Sequence, residues 1–187
     1  YDCVSALQWL SDNSVRLNID MNQLVFYGGS AGGNLVLALA MYARDHGLVM
    51  PKFIMAMYPM IDDRHTTPSS YQITGTKPGA WNRRDSLEAW RWYLANNEPD
   101  IYAAPARACI SELEGLPPVY MDVGTLDPFR DEDLAFATKL SAAGVDVEMH
   151  LTPHMVHGGE NAAPDADISK RIWEYRMSAL RRALDME

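Results

Sequence analysis

The sequence predicts an α/β protein with a mostly parallel sheet, because helical and strand-like patterns alternate along its 187 residues. Near-continuous apolar runs at Leu24 to Tyr27 and Phe53 to Tyr58 are typical of parallel strands that are buried on both faces. A further strand is predicted at Val119 to Val123, after Leu116-Pro117-Pro118. Ligands of such sheets bind beyond the carboxyl ends of the strands. The residues that directly follow each strand are therefore the first candidates for a functional site.

The first half of the chain begins with a helix, because Asp2 to Leu10 carries apolar residues at helical spacing. After the strand at Leu24 to Tyr27, the segment Leu35 to Ala43 is apolar on every side and predicts a helix that is covered all round. The strand at Phe53 to Tyr58 comes next and is bounded by prolines. Residues 62–79 are polar, and we expect only turns there.

An aromatic helix is predicted from Asp85 to Ala95. Leu87, Trp90 and Leu94 share one stripe of this helix, which fits either the protein core or the wall of a binding pocket. Aromatic stripes usually pack in a core, so we favour that interpretation.

The last part of the chain contains a helix, a strand and another helix. Asp131 opens the first helix and Gly144 ends it. Val145 to Leu151 alternates strictly between apolar and polar residues, which predicts a strand with one face in water, near a sheet edge. A long amphipathic helix begins just after Pro164 and runs to the C-terminus.

Composition and charge restrict the class of protein. With 48% apolar and 22% charged residues, the chain has enough material for one globular domain. A formal net charge of -9 argues against a nucleic-acid partner and an anionic membrane surface. The longest apolar runs are too short to span a membrane. Cys3 and Cys109 form neither a metal-ligand spacing nor a disulfide framework, so we expect a reducing, cytoplasmic location and no metal.

The central motif lies between the first strand and the helix that follows it. Gly28 and Gly32 flank Ser30 at the G-x-S-x-G spacing of a nucleophile elbow, a sharp turn from strand to helix. We expect both glycines to be needed because the chain approaches itself closely there. The backbone N–H of Ala31, at the start of the helix, is positioned to stabilise an oxyanion. A glycine-rich turn with an incidental serine is the alternative explanation.

Two further residues complete a catalytic pattern. Asp127 and His157 each follow a separate strand, and the chain order Ser30, Asp127, His157 is one of the known orders of a Ser-His-Asp triad. Individually, Asp127 could be a turn residue and His157 an exposed loop residue, but their joint placement favours the triad. His154 is the competing base. We favour His157 because it lies further along the loop and is followed by glycines.

The chain resembles the hormone-sensitive-lipase-like carboxylesterases of the α/β-hydrolase fold over its whole length. The motifs that carry the resemblance are Gly28-Gly29-Ser30-Ala31-Gly32-Gly33-Asn34, Leu116-Pro117-Pro118, Asp127-Pro128-Phe129-Arg130-Asp131-Glu132 and His157-Gly158. The resemblance implies that Ser30 is the nucleophile, Asp127 the triad acid, His157 the base and Ala31 an oxyanion donor. Residues from 62 to about 100 are similar to part of the family's helical cap.

Three features depart from the family pattern. Gly29 stands where an acid is usual, Gly158 is followed by Gly159-Glu160 where an aromatic residue is common, and the His-Gly-Gly-Gly oxyanion stretch is absent. None of these removes a triad group. We therefore expect hydrolysis of carboxylic esters with short or medium acyl chains, without metal or organic cofactor.

Other functions stay open at this point. A small-molecule receptor on the same fold is one alternative, although receptors of this kind lose a triad residue and this chain keeps all three. An amidase or an acyltransferase with the same triad is another, and a homo-oligomer is compatible with the sequence.

A strand apolar on both faces is poorly placed at the border of a sheet. If the sheet contains only the four strands predicted here, the elbow strand lies at such a border. We therefore expect the 187 residues to be the C-terminal part of a longer α/β-hydrolase domain, which would also supply the glycine-rich oxyanion loop and half of the cap. A signal peptide preceding Tyr1 would not be visible in this sequence.

Overall fold

The computed structural model describes residues 2–73, 81–95 and 97–186. Within these residues, four parallel strands form one sheet in the order β1-β2-β3-β4. The strands are β1 (Val25–Gly29), β2 (Phe53–Met57), β3 (Val119–Leu126) and β4 (Val147–Val156). The helices are α1 (Asp2–Asp12), α2 (Ser14–Leu17), α3 (Ala31–Asp45), α4 (Pro68–Gln72), α5 (Arg83–Leu94), α6 (Arg130–Ala142), α7 (Gly159–Ala162) and α8 (Asp167–Ala183). The predicted parallel α/β architecture is confirmed.

The sheet lies between two helical layers. Alternate residues of each strand point to opposite faces of the sheet, and each face packs against its own layer of helices. On one face, Ile54 and Met121 pack against Leu37 of α3 and Phe136 of α6 in the main core. On the other face, Phe53, Met55, Met57 and Tyr120 pack against Ala179 of α8. Both faces of the two central strands are therefore buried, as the near-continuous apolar run at Phe53 to Tyr58 predicts for β2.

The borders of the sheet formed by the described residues are β1 and β4. This agrees with the placement of the alternating strand near an edge and of the elbow strand at the opposite border. However, Tyr27 of β1 is 49% exposed and Leu35 of α3 is 38% exposed. The prediction that the helix after the elbow is covered all round is therefore wrong within the described residues, where Leu35 lines an open cavity, whereas β1 lies uncovered at a border as expected for these 187 residues.

The segment between β2 and β3 contains α4 and α5, whereas residues 74–80 of the predicted turns lie outside the described residues. The expectation of turns alone is wrong at α4. Its Ser69 hydroxyl donates to the Pro128 carbonyl at 2.9 Å, and its Ser69 N–H donates to Asp131 at 2.7 Å. These contacts stabilise a short helix that local sequence preference alone does not favour.

Candidate active site

Ser30 occupies the turn between β1 and α3. Its backbone angles, φ 57° and ψ −120°, lie in a region that residues with a side chain rarely adopt. The Ser30 N–H donates to the Met57 carbonyl at 2.9 Å, which ties the turn to the end of β2. A strained serine held by its neighbours is typical of a nucleophile elbow.

The two glycines of the motif meet different surroundings. A Cβ atom at Gly28 would lie 2.3 Å from the Gly32 carbonyl oxygen, so only glycine fits there. A Cβ atom at Gly32 would have no described atom within 4 Å. The close approach on the helix side is instead at Gly33, where a Cβ would lie 2.7 Å from that of Pro59. Within the described residues, the expected steric need at Gly32 is thus wrong, whereas the need at Gly28 is present.

The structure brings Ser30, His157 and Asp127 into one hydrogen-bonded chain. The Ser30 Oγ lies 2.9 Å from the His157 Nε2, and the His157 Nδ1 lies 2.8 Å from the Asp127 Oδ2. Asp127 is fully buried, and its Oδ1 accepts a hydrogen bond from the Phe129 N–H at 2.9 Å. The acid is therefore held on both oxygens, and the imidazole lies between acid and hydroxyl in the order that general-base chemistry requires.

An irregularity in β4 determines which histidine reaches Ser30. Gly124 pairs with Thr152 but Leu126 pairs with Val156, so β4 contains extra residues opposite β3. His154 lies in this bulge with φ 60°, is exposed, and donates its backbone N–H to the Thr125 side chain at 2.8 Å. The bulge turns His154 toward solvent, and the chain beyond it brings His157 to Ser30.

Ala31 begins α3 and is exposed beside Ser30. As the first helical residue it has no acceptor within its own helix, so its N–H is available to a negatively charged group. A cavity of about 160 Å³ opens next to it. The cavity is lined by Ala31, Asn34, Leu35, Met60, Ala89, Trp90 and Tyr93.

Helix α5 contributes both to the core and to this cavity. Trp90 is only 4% exposed and packs with Met60 and Phe129, yet it also lines the cavity. The two interpretations of the aromatic stripe therefore both apply to Trp90. Leu87 is 44% exposed, so its expected place on the buried stripe is wrong.

Aromatic side chains surround the His157 imidazole. The ring centroids of Tyr58 and Phe129 each lie 5.0 Å from that of His157 and meet it at steep angles, and Trp81 lies 6.2 Å away. Sequence reasoning missed these three residues. The available signals were that Tyr58, like the triad residues, directly follows a strand end and that Phe129 lies two positions after Asp127.

A buried ionic cluster lies behind these rings. Arg176 of α8 is 1% exposed and contacts Asp122 through two bonds of 2.6 and 2.9 Å and Glu160 through one of 2.8 Å. Glu160 also accepts the hydroxyl of Tyr58 at 2.9 Å. Burial and the Glu160 carboxylate raise the pKa of the Tyr58 hydroxyl, which therefore remains a donor. A charged residue on the otherwise apolar stripe of α8 was the overlooked signal.

Two further acids are buried at the start of α6. Glu132 accepts the backbone N–H groups of Ile61 and Asp62 at 2.9 and 3.1 Å. Asp133 is fully buried, and neither carboxylate oxygen has a hydrogen-bond partner among the described residues. Burial raises the pKa of both acids well above their ordinary values, and their mutual proximity raises that of Asp133 further.

The described part of the chain has neither a cluster of metal ligands nor a membrane-spanning helix. Among residues 2–73, 81–95 and 97–186, no three His, Cys, Asp or Glu side chains are grouped as metal ligands. None of the helices described there combines the length and apolar character needed to cross a bilayer.

Comparison with known proteins identifies the family of this chain. A model of the alpha/beta hydrolase fold matches residues 1–160. Carboxylesterase NlhH of Mycobacterium tuberculosis is 32% identical over 190 residues, covering 98% of this chain and 58% of that protein. The structure of a bacterial heroin esterase matches with a TM-score of 0.89 at 36% identity, covering 98% of this chain and 58% of that one.

A second solved structure extends the comparison. Brefeldin A esterase, described as a bacterial homologue of human hormone-sensitive lipase, matches with a TM-score of 0.80 at 29% identity, covering 99% of this chain and 53% of that one. The chain thus spans a little over half the length of these relatives. The fold, the matched family model and the relatives agree, and one of those relatives is a homologue of human hormone-sensitive lipase. This chain belongs to the α/β-hydrolase family.

Proposed function

We propose that this chain carries the catalytic triad of a serine carboxylesterase, with Ser30 as nucleophile, His157 as general base and Asp127 as the acid that orients the imidazole. The observation that carries the proposal is the continuous hydrogen-bonded chain from Ser30 through His157 to the buried Asp127. The names of the relatives, which are carboxylesterases and esterases, support the same reaction class.

The reaction begins when the His157 Nε2 accepts the proton of Ser30 as its Oγ attacks the ester carbonyl carbon. Asp127 holds the other ring proton on Nδ1, which leaves Nε2 free to accept. The N–H of Ala31 donates to the oxyanion of the tetrahedral intermediate. The intermediate collapses when the protonated His157 transfers its proton to the leaving alcohol, and a water molecule then hydrolyses the acyl-enzyme by the same steps.

The cavity beside Ala31 is the proposed site for the acyl group, and we propose a preference for esters with short or medium acyl chains. The lining of Leu35, Met60, Trp90 and Tyr93 is apolar and suits an alkyl chain. We further propose that residues 62–100, with α4 and α5, form part of a cap over this cavity.

Covalent labelling tests the nucleophile. In the whole protein that carries this chain, a fluorophosphonate should label the wild type and leave Ser30→Ala unlabelled. Ser30→Ala should also lower turnover of short aryl esters by about 10⁴-fold or more, because triad residues act as a unit. Ser5→Ala, at an exposed position of α1, is the matched control and should behave like the wild type. A folded wild-type protein that takes up no label would refute the proposal.

The two histidines allow a second, direct test. His157→Ala should abolish measurable turnover, whereas His154→Ala should retain most of it, because His154 is exposed on the bulge. The measurement is kcat/KM on one aryl ester across a range of pH. The opposite ranking would make His154 the base.

A further inference from the structure

Glu160 lies at the centre of a set of contacts that the proposed reaction does not use. It is 1% exposed and three positions beyond His157. Its Oε1 accepts from the Tyr58 hydroxyl at 2.9 Å and from the Arg176 Nη1 at 2.8 Å. Buried ion pairs of this kind add little net stability compared with apolar packing, so stability alone does not account for the buried charge of Glu160.

Arg176 connects Glu160 to strand β3 of the sheet. Its guanidinium forms two bonds to Asp122, which is 3% exposed and lies in β3 five positions before Asp127. The segment after β4 is thus fastened at two points, to β3 at Asp122 and to the residue just beyond β3 at Asp127. His157 contacts Asp127 directly, and Glu160 contacts Asp122 through Arg176.

The turn between these two points leaves little freedom. Gly158 has φ 60°, and a Cβ atom at Gly159 would lie 2.5 Å from the Met155 sulfur. A tight turn packed this closely cannot shift Glu160 without also moving the backbone of His157.

Tyr58 connects Glu160 with the His157 imidazole. Its hydroxyl is held by Glu160 at 2.9 Å, and its ring centroid lies 5.0 Å from that of His157 at an angle of 72°. Gly29, next to the nucleophile, makes room for this ring, because a Cβ at Gly29 would lie 3.3 Å from two atoms of the Tyr58 side chain.

We propose that Glu160 and Tyr58 are positioning residues: through the Arg176–Asp122 contact and the Tyr58 ring, they hold the His157 imidazole with its Nε2 toward the Ser30 Oγ. This role rests on the proposed function. It requires neither residue to touch the substrate. Because a misplacement of about 1 Å can cost about 100-fold in rate, the loss of either residue should reduce the chemical step and leave substrate binding nearly unchanged.

Two variants of the whole protein test this role. Tyr58→Phe keeps the ring but removes the bond to Glu160, and it leaves the Arg176 cluster intact. Glu160→Gln keeps the side-chain shape but removes the charge. Each should lower kcat by about 10- to 100-fold, with KM changed by less than about twofold, and should slow fluorophosphonate labelling of Ser30. The double variant should be no worse than the worse single variant, because both substitutions weaken the same Tyr58–Glu160 bond.

Glu174→Gln, an exposed acid on α8, is the control and should match the wild type. If Tyr58→Phe and Glu160→Gln lower only the melting temperature, while kcat per labelled serine is unchanged, the cluster is structural and the inference is overturned. Crystal structures of both variants provide a readout that does not depend on turnover. An imidazole displaced from its 2.9 Å contact with Ser30 supports the inference, and an unmoved imidazole overturns it even in a protein without esterase activity.

Discussion

Gly28 and Gly32 are placed symmetrically about Ser30 in the sequence, but they differ in the fold. Gly28 lies in β1, and its backbone faces the Gly32 carbonyl across the elbow. Gly32 lies in the first turn of α3, where a side chain would meet open space among the described residues. In this chain the G-x-S-x-G motif therefore requires glycine for steric reasons at Gly28, but not at Gly32 among the described residues.

Alanine substitutions should separate the two positions. Gly28→Ala should lower the free energy of unfolding by about 3 kcal/mol or more, because the added Cβ overlaps a backbone oxygen. Gly32→Ala should cost far less, since alanine is favoured over glycine in a helix by up to about 1 kcal/mol. Urea unfolding of the two variants makes the comparison. Equal losses would show that Gly32 is also confined.

Asp133 is a carboxyl group without a hydrogen-bond partner among the described residues, in a fully buried position. It shares the buried face of α6 with Phe136, Ala137 and Leu140. Its pKa is raised by burial and by the nearby acids Glu132 and Asp127. The folded protein therefore keeps a proton on Asp133 that the unfolded chain releases above its ordinary pKa of 3.8.

The pH dependence of the free energy of unfolding follows from this difference between the pKa of Asp133 in the folded protein and in the unfolded chain. The proton on Asp133 favours folding fully below pH 3.8, and this contribution is lost as the pH rises toward the folded pKa. Asp133→Asn should thus raise the free energy of unfolding at neutral pH by about 1–3 kcal/mol and flatten its pH dependence. Asp146→Asn, at an exposed position, should change neither. Thermal unfolding at several pH values tests this, and a destabilised Asp133→Asn would contradict it.

At the scale of single elements, the bulge in β4 links the sheet to the candidate active site. It requires Gly124 in the neighbouring strand, because a Cβ there would lie 2.1 Å from the Met155 carbonyl oxygen. Met155 directly precedes the stretch that leads to His157. A substitution at Gly124 should therefore displace the backbone of β4 and, with it, the position of His157.

Gly124→Ala should lower kcat at least about tenfold, because the displaced bulge moves the His157 loop. A glycine elsewhere provides the control. Gly115 has φ 74° and is followed by the turn into β3, so Gly115→Ala should cost about 1 kcal/mol or more in stability but leave kcat unchanged. The measurements are kcat on a short aryl ester and the melting temperature. A Gly124→Ala variant with wild-type kcat would show that the bulge does not determine the position of His157.

At the scale of the whole molecule, the border of the sheet at β1 exposes apolar side chains. The strand contributes Tyr27 at 49% exposure, and Leu35 on the adjoining helix is 38% exposed. One side of β1 has no paired strand among the described residues. We propose that a longer domain covers this border and that the present chain is its C-terminal part.

Expression of the 187-residue chain alone should therefore give aggregates or a protein with little activity, since an open apolar edge pairs with other chains. Size-exclusion chromatography and esterase assays, run beside the whole protein, measure both properties. A soluble monomer of the 187 residues with full activity would contradict this proposal.

Local sequence patterns determined much of this protein. Apolar runs, helical spacing and one alternating strand predicted the parallel sheet and both of its border strands, because periodicity records which faces of an element are buried. The G-x-S-x-G spacing and the order of Ser30, Asp127 and His157 identified the residues that the structure brings together. These signals lie within short stretches or in the order of elements, so they can be read without coordinates.

Tertiary structure alone decided the contacts that connect distant parts of the chain. The bulge opposite Gly124 determined that His157 rather than His154 lies against Ser30. The Tyr58–Glu160 bond joins residues 102 positions apart, and Arg176 became buried only because two acids from other elements surround it. No local pattern encodes such contacts, because they depend on how completed strands and helices pack against one another.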